Sequence, residues 1–339
     1  MASSVSSRRN RKGLLYLAAG ILVAAAAAYT AGWFYLAGKL EARARTDLAG
    51  LGAKGISANC ENLHVSGYPL RVDIVCDSIS WQRPNAGISF LAGRISSGSP
   101  VYAPRNLTNE ITSPAFVGIP GLLPLELRWD KLTSSTELIR PAPSRISTTA
   151  KGLRIGVRTQ ATSATPLAEI ADLQFEANGF SGPMQAVLAF NGLKLSEAAV
   201  GDMPVPPLSG SADVQFSDAA ALYQPRPGAI EERLRGQSGE IRKATLALPS
   251  GGALTLSGPF SVDEEGVIDG SFRVSLTNPS ALAEAARTIF PDQERNIATV
   301  LFALSAMPKD ENGAPTLTVN VKRGKATAGF IPLGTLPAL

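Results

Sequence analysis

GGALTLSGPFSVDEEGVIDGSFRVSLT, residues 251–277, decides the fold. Leu254 and Leu256 alternate with threonine and serine, and Phe272, Val274 and Leu276 alternate with Arg273 and Ser275. A side-chain period of two puts each apolar set on one side of an extended strand. Glu264-Glu265-Gly266 turns the chain between the two runs, and residues 245–248 supply a third strand just before them. The expectation is an antiparallel meander with one apolar face and one Ser/Thr/Arg face.

The same style extends outward. Downstream, Asn278-Pro279 opens a helix, because asparagine caps well and proline suits the first helical position. Leu282, Ala285, Ala286 and Ile289 recur at helical spacing, Pro291 breaks the run, and a second helix follows through Ile297, Val300, Leu301 and Leu304 to Met307. A last strand sets Leu317, Val319 and Val321 against Thr318, Asn320 and Lys322. The helical pair is apolar enough to pack on the sheet and close it into an ordinary core. The rival reading is an open groove lined by Leu254, Leu256, Phe272, Val274, Leu276, Leu317, Val319 and Val321.

Upstream, strands run through Val214 and Phe216, residues 185–195, Leu173 and Phe175, Leu153 to Val157, and Leu125 to Trp129. Short helical turns are expected around Ile230, and the proline-rich residues 203–207 are the candidate internal boundary. Between Trp81 and Pro124 the alternation becomes irregular and proline recurs, which suits edges, bulges and turns.

Residues 56–81, ISANCENLHVSGYPLRVDIVCDSISW, read as a hairpin. Leu70, Val72, Ile74 and Cys76 alternate with Arg71, Asp73 and Val75, after the turn Ser66-Gly67-Tyr68-Pro69. A hairpin centred on Tyr68 sets Cys60 directly opposite Cys76, at a separation that suits a disulfide. They are the only two cysteines, so in an oxidising compartment a structural bridge is the first reading. Free buried thiols or a redox pair are the alternatives. The single histidine, His64, reads as a partly exposed strand residue; a general base or metal ligand is the other option. Gly50-Leu51-Gly52-Ala53-Lys54-Gly55 spells GxGxxG, but that motif needs a strand before it and a helix after it. Here the order is reversed.

The front of the chain sets the location. Residues 13–38, GLLYLAAGILVAAAAAYTAGWFYLAG, carry no charge. As a helix they reach roughly 39 Å, more than a bilayer's hydrocarbon core. Arg8, Arg9, Arg11 and Lys12 precede them, and Trp33, Phe34 and Tyr35 close them. Basic flanks stay cytoplasmic and aromatic rings favour the membrane boundary. A cleaved signal peptide is the alternative, but its apolar region is shorter. A buried soluble helix fits poorly, being apolar on every side. The 339 residues then divide into a cytoplasmic tail (1–12), a transmembrane helix (13–38), a helical stalk (39–55) and a periplasmic β-rich domain (56–339) with a candidate subdivision near 204–207. The fold class is mainly β (α+β): an N-terminal transmembrane helix, then a curved antiparallel β-sheet domain with a C-terminal helical pair packed on it.

Residues 1–45 hold seven Lys/Arg and one acid, so the chain's net +4 leaves about −2 beyond them. A nearly neutral domain with 6% aromatics does not suit nucleic acid. There is no GxSxG elbow, no Walker loop and no His/Cys cluster. The reading is therefore non-enzymatic and cofactor-free, with the inner membrane as partner and phospholipid or another envelope protein as the further candidates.

Cys60, then Gly67-Tyr68-Pro69-Leu70-Arg71, Cys76, and the closing Gly324 with Gly329-Phe330-Ile331-Pro332-Leu333-Gly334 resemble the Gram-negative envelope proteins called domain of unknown function 2125. That likeness carries no catalytic residue. The 251–277 meander resembles, more loosely, AsmA-like proteins, membrane-anchored envelope proteins whose curved sheets enclose an apolar groove implicated in phospholipid movement. The implied role is envelope maintenance with lipid in the groove; the alternative is an envelope scaffold or protein-interaction module with a closed core. A reporter enzyme that works only in the cytoplasm is expected to be inactive when fused after Leu339; activity there would reverse the orientation.

Overall fold

The computed structural model describes residues 8–84, 87–121, 123–139, 142–158, 164–218, 234–310 and 313–339. The helical turns expected around Ile230 lie outside the described residues. Helix α1, Arg8–Gly50, is one unbroken helix of 43 residues, so span and stalk are continuous. It is long and apolar enough to cross a membrane. It ends in a 3-10 turn, Leu51–Lys54, where Gly55 adopts φ +70° and its N–H bonds to Gly52 O. Only glycine takes that conformation without strain. The GxGxxG run is thus a helix exit.

Among the described residues one antiparallel sheet of 20 strands follows. The first ten strands are halves of five bent ribbons: β1 (Ser57–Glu61) with β2 (His64–Ser66), β3 (Arg71–Cys76) with β4 (Ser78–Arg83), β5 (Ile88–Ala92) with β6 (Ile95–Pro100), β7 (Asn106–Ile111) with β8 (Ala115–Gly118), and β9 (Leu125–Arg128) with β10 (Lys131–Ile139). Both halves of each ribbon pair with both halves of the next. The fifth ribbon pairs with β11 (Ala142–Val157) on either side of Gly152. Then β12 (Thr165–Asn178), β13 (Met184–Leu195), β14 (Leu208–Phe216), β15 (Ser238–Ala247), β16 (Ala253–Val262), β17 (Ile268–Thr277), β18 (Thr316–Lys322), β19 (Lys325–Ala328) and β20 (Ile331–Thr335) add in chain order. The sheet runs straight through residues 203–207, since β13 and β14 pair across them.

The breaks between ribbon halves line up. Residues 62–63, 77, 93–94, 112–114, 129–130 and 152 form a crease across six neighbouring ribbons. Hydrogen bonds lace it: Asp77 N–H to Glu61 O (2.9 Å), Thr112 N–H to Arg94 O (2.8 Å), Asp130 N–H to Lys151 O (2.9 Å) and Trp129 Nε1–H to Ile111 O (2.9 Å). Asn62 and Gly152 have φ of +51° and +59°. Apolar alternation changes parity on crossing it: Ala92 gives way to Ile95, Leu127 to Leu132, Ala150 to Leu153. Extra residues of this kind are β-bulges, which bend a strand. Folding at the crease brings Ile79, Phe90, Ala92, Ala115, Leu127 and Leu153 from one leaf onto Ile111 and Leu132 of the other, around buried Trp129. This is the main core.

The strand pairing and the packing of α1 correct two expectations. The hairpin register sets Cys60 opposite Ile79 and His64 opposite Val75, so the cysteines are not direct cross-strand partners. They nonetheless form the disulfide, with Cα atoms 5.3 Å apart, because β1 and β3 meet diagonally across the bend. In β3, Asp73 and Val75 are buried together with Cys76, although alternation had put the first two outside. Both sides of the strand are covered there, since α1 packs against β1, β2 and β3.

Beyond β11 the sheet becomes a single layer. A small second cluster, Ala177, Phe180 and Met184 with Ile146 and Phe216, closes one end of it. A one-turn helix α2 (Glu197–Val200) follows β13. Between β17 and β18 lie α3 (Pro279–Ile289) and α4 (Glu294–Ser305). Asn278 Oδ1 caps α3 by accepting from Ala281 N–H. The pair packs on the sheet at the β15–β16 turn, where a Cβ on Gly252 would sit 3.1 Å from Leu282. It covers that end and not the face, and Val300 and Phe302 of α4 stay exposed.

A Cβ at Gly152 would fall 2.1 Å from Asp130 Oδ2, at positive φ. Gly152→Ala is expected to destabilise the fold by about 1–3 kcal/mol, read as a lower urea midpoint. Gly182→Ala, which meets nothing within 4 Å, is expected to leave the midpoint unchanged.

Candidate functional site: an apolar face left open

Cross-strand register collects the apolar residues on one side. Leu254 lies between Leu246 and Leu276, Leu256 opposite Val274, Val274 opposite Leu317, Phe272 opposite Val319, and Gly270 opposite Val321. All eight residues singled out from sequence therefore share one face. The face continues through Gly210, Phe190 and Leu173, through Ala212, Leu188 and Phe175, and through Val214, Ala186 and Ala177.

The other side is largely polar and hydrogen-bonded to itself. Thr245 and Thr255 hydroxyls are 3.2 Å apart, Gln185 Nε2 donates to Asp213 Oδ1 (2.9 Å), Ser271 Oγ to Asn320 Oδ1 (2.9 Å), and Arg145 Nη2 to Glu176 Oε2 (2.7 Å). That last bond raises the Arg145 guanidinium above its ordinary value.

Chemistry alternates along these strands. On β18 burial follows the chemistry, and Phe272 and Val321 are hidden, but away from that end it does not. Phe175 is 38% exposed, Leu188 39%, Leu254 40% and Leu246 43%. A covered face would hide residues of this type almost completely. The trough's floor is smooth because aromatic rings lie over glycines. A Cβ on Gly210 would meet the Phe190 ring at 2.6 Å, one on Gly270 the Phe272 ring at 2.6 Å, and one on Gly239 the Phe260 ring at 3.0 Å. Bulges bend the ribbons. At Gly258, φ +147°, a Cβ would fall 2.1 Å from Ser271 O, and the register shifts at residues 213–214 and between Ile241 and Ala244. Sequence reasoning found the apolar rows but missed the glycine–aromatic pairs. Two of these pairs, Gly210 with Phe190 and Gly239 with Phe260, lie across neighbouring strands and are visible only once register is known, while Gly270 and Phe272 sit two apart on one strand.

The Gly67-Tyr68-Pro69-Leu70-Arg71 hairpin lies elsewhere, against α1. Trp33 Nε1–H donates to Arg71 O (3.0 Å), Tyr29 OH to Pro69 O, and Thr30 and Tyr68 hydroxyls are 2.7 Å apart. The Tyr68 ring packs edge-on to Trp33 and stacks on Phe34. Arg71 grips Asp73 through Nη2 (2.8 Å) and Nε (3.0 Å), which raises its own pKa. His64 is partly exposed, its Nδ1 2.8 Å from Asn62 O. Among the described residues no three His, Cys, Asp or Glu side chains gather at metal-binding distance.

Arg71→Gln leaves the buried Asp73 carboxylate without its guanidinium, and a loss of about 1–3 kcal/mol is expected in urea unfolding of the detergent-solubilised chain. Arg43→Gln, which breaks an exposed pair with Asp47, is expected to change it by less than about 0.5 kcal/mol.

A family model described as "Uncharacterized protein conserved in bacteria (DUF2125)" matches residues 33–337. No curated protein and no solved structure matches the chain, so the AsmA likeness rests on the meander sequence alone.

Proposed function

This chain belongs to the DUF2125 family of bacterial proteins, and from that premise we propose a single-pass, membrane-anchored envelope protein whose open face holds lipid acyl chains without catalysis. Its N-terminus is cytoplasmic and its sheet periplasmic. One observation carries the reading: an apolar face continuous from β12 to β18, on which Phe175, Leu188, Leu246 and Leu254 are each about two-fifths exposed, with no second layer over them among the described residues. Water against such a face is unfavourable, and extended apolar patches mark binding surfaces. An acyl chain gains about 0.8 kcal/mol per buried CH₂, and a smooth, curved floor suits a flexible chain better than a shaped pocket does.

A second reading has its own support. The outer edge strand β20 is exposed throughout, with Phe330, Ile331 and Leu333 in the open. An uncovered edge accepts a partner strand, which would make the protein an envelope scaffold. Cross-linking in intact cells that repeatedly captures one protein through residues 330–335 favours this reading.

Native mass spectrometry of the full chain, released in mild detergent, is expected to show phospholipid adducts. Replacing Leu188 and Leu254 together by aspartate is expected to remove them, while Thr255→Asp on the polar side keeps them. A wild-type chain without adducts, or adducts indifferent to the double change, overturns lipid carriage.

A further inference from the structure

Helix α1 measures depth. If the hydrocarbon layer begins at Gly13, the first residue after Lys12, about 30 Å of helix takes about 20 residues at 1.5 Å each. That places the far boundary near Gly32. The hairpin docks at this level, through Tyr29, Thr30 and Trp33. Its tip is therefore held at the membrane surface by hydrogen bonds, and not lifted away on the stalk.

The tip is built for that position. Tyr68 and Leu70 are exposed, Leu70 at 62%. The next turn lies beside it, since Val101 N–H donates to Leu70 O (2.9 Å), and it presents Val101 and Tyr102, the latter 80% exposed. The end of β10 lies on the same side of the ribbons: Leu138 N–H donates to Arg105 O (2.9 Å), and Leu138 and Ile139 are exposed. Turns in water favour Gly, Asn, Asp and Ser. The two turns and this strand end carry two tyrosines and four aliphatics, with Arg71 and Arg105 beside them. Tyrosine at a boundary with apolar neighbours and basic residues is the composition of a membrane interface.

We propose that residues 68–70 and 101–102 form a membrane-contact surface, inserted into the interface of the bilayer that α1 crosses, so that the first ribbons stand on the lipid. The inference rests on the anchor in the reading above and is independent of what fills the apolar face. A protein partner on these tips is the competing occupant, and the test separates the two.

The full chain, with its disulfide intact, is reconstituted in phosphatidylethanolamine/phosphatidylglycerol vesicles after labelling Leu70→Cys or Tyr102→Cys with an environment-sensitive fluorophore. Lipids bearing a nitroxide near the headgroup are expected to quench both probes severalfold, while a probe at Thr255→Cys stays bright. Aqueous iodide is expected to show the reverse order. Tyr102 protrudes from its turn, so its variant decides alone if the Leu70 variant fails to fold. Tip probes quenched by iodide and not by nitroxide lipid, or quenching equal to that at Thr255, overturn the proposal. Loss of lipid adducts in the mass spectrum with the Tyr102 probe still quenched would sink acyl-chain carriage and leave this surface standing.

Discussion

A sheet with one apolar side gains by hiding that side, and the two parts of this one differ in how far they do so. The first six ribbons fold over their own crease. Trp129, Ala92 and Ala115 end up inside a closed double layer, and water is expelled by the sheet itself. The later ribbons carry the same chemistry in the same alternation, yet they have bulges at Gly192 and Gly258 in place of a sharp fold. A bulge bends a strand without reversing it. The result is curvature without closure, and Leu188, Leu246 and Leu254 stay within reach of solvent.

The closed half also holds the anchor. Its hairpin meets α1 through backbone acceptors at Pro69 and Arg71 and through the ring cluster of Trp33, Phe34 and Tyr68. The family match begins at Trp33, so the ring cluster and the Trp33 bond lie inside the matched region, while Tyr29 and most of the apolar run lie outside it. The disulfide sits at the next level up and ties β1 to β3 across the bend. Hydrogen bonds and ring contacts thus fix the first ribbons to the helix, the disulfide braces those ribbons, and the open ribbons extend from that base.

The meander at 251–277 was legible because strand period, turn residues and polar partners all agree there. The long apolar helix was legible for a simpler reason, since no charge interrupts residues 13–38. The region from Trp81 to Pro124 was not. Ala92 and Ile95 are an odd number of positions apart across the crease while Ile111 and Ala115 are an even number apart, so a strict period of two fails there. The hairpin register was missed for a different reason: its turn centres between Pro69 and Leu70 and not on Tyr68, so Cys60 pairs with Ile79, not Cys76. The helical pair was read correctly in position and cap, but its amphipathic pattern does not say which part of a sheet it meets. Leu282 finds the glycine turn at Gly252, a contact set by tertiary geometry.

Every ribbon in this molecule lies beside its neighbour in sequence. Contacts of that kind close short loops and carry a small entropic penalty. Segments synthesised in that order meet in the order in which they pair. The earliest hairpin can lodge against α1 as soon as it forms, and each later arrival meets a waiting template. Assembly by accretion keeps the naked edges at one growing end, which limits mispairing.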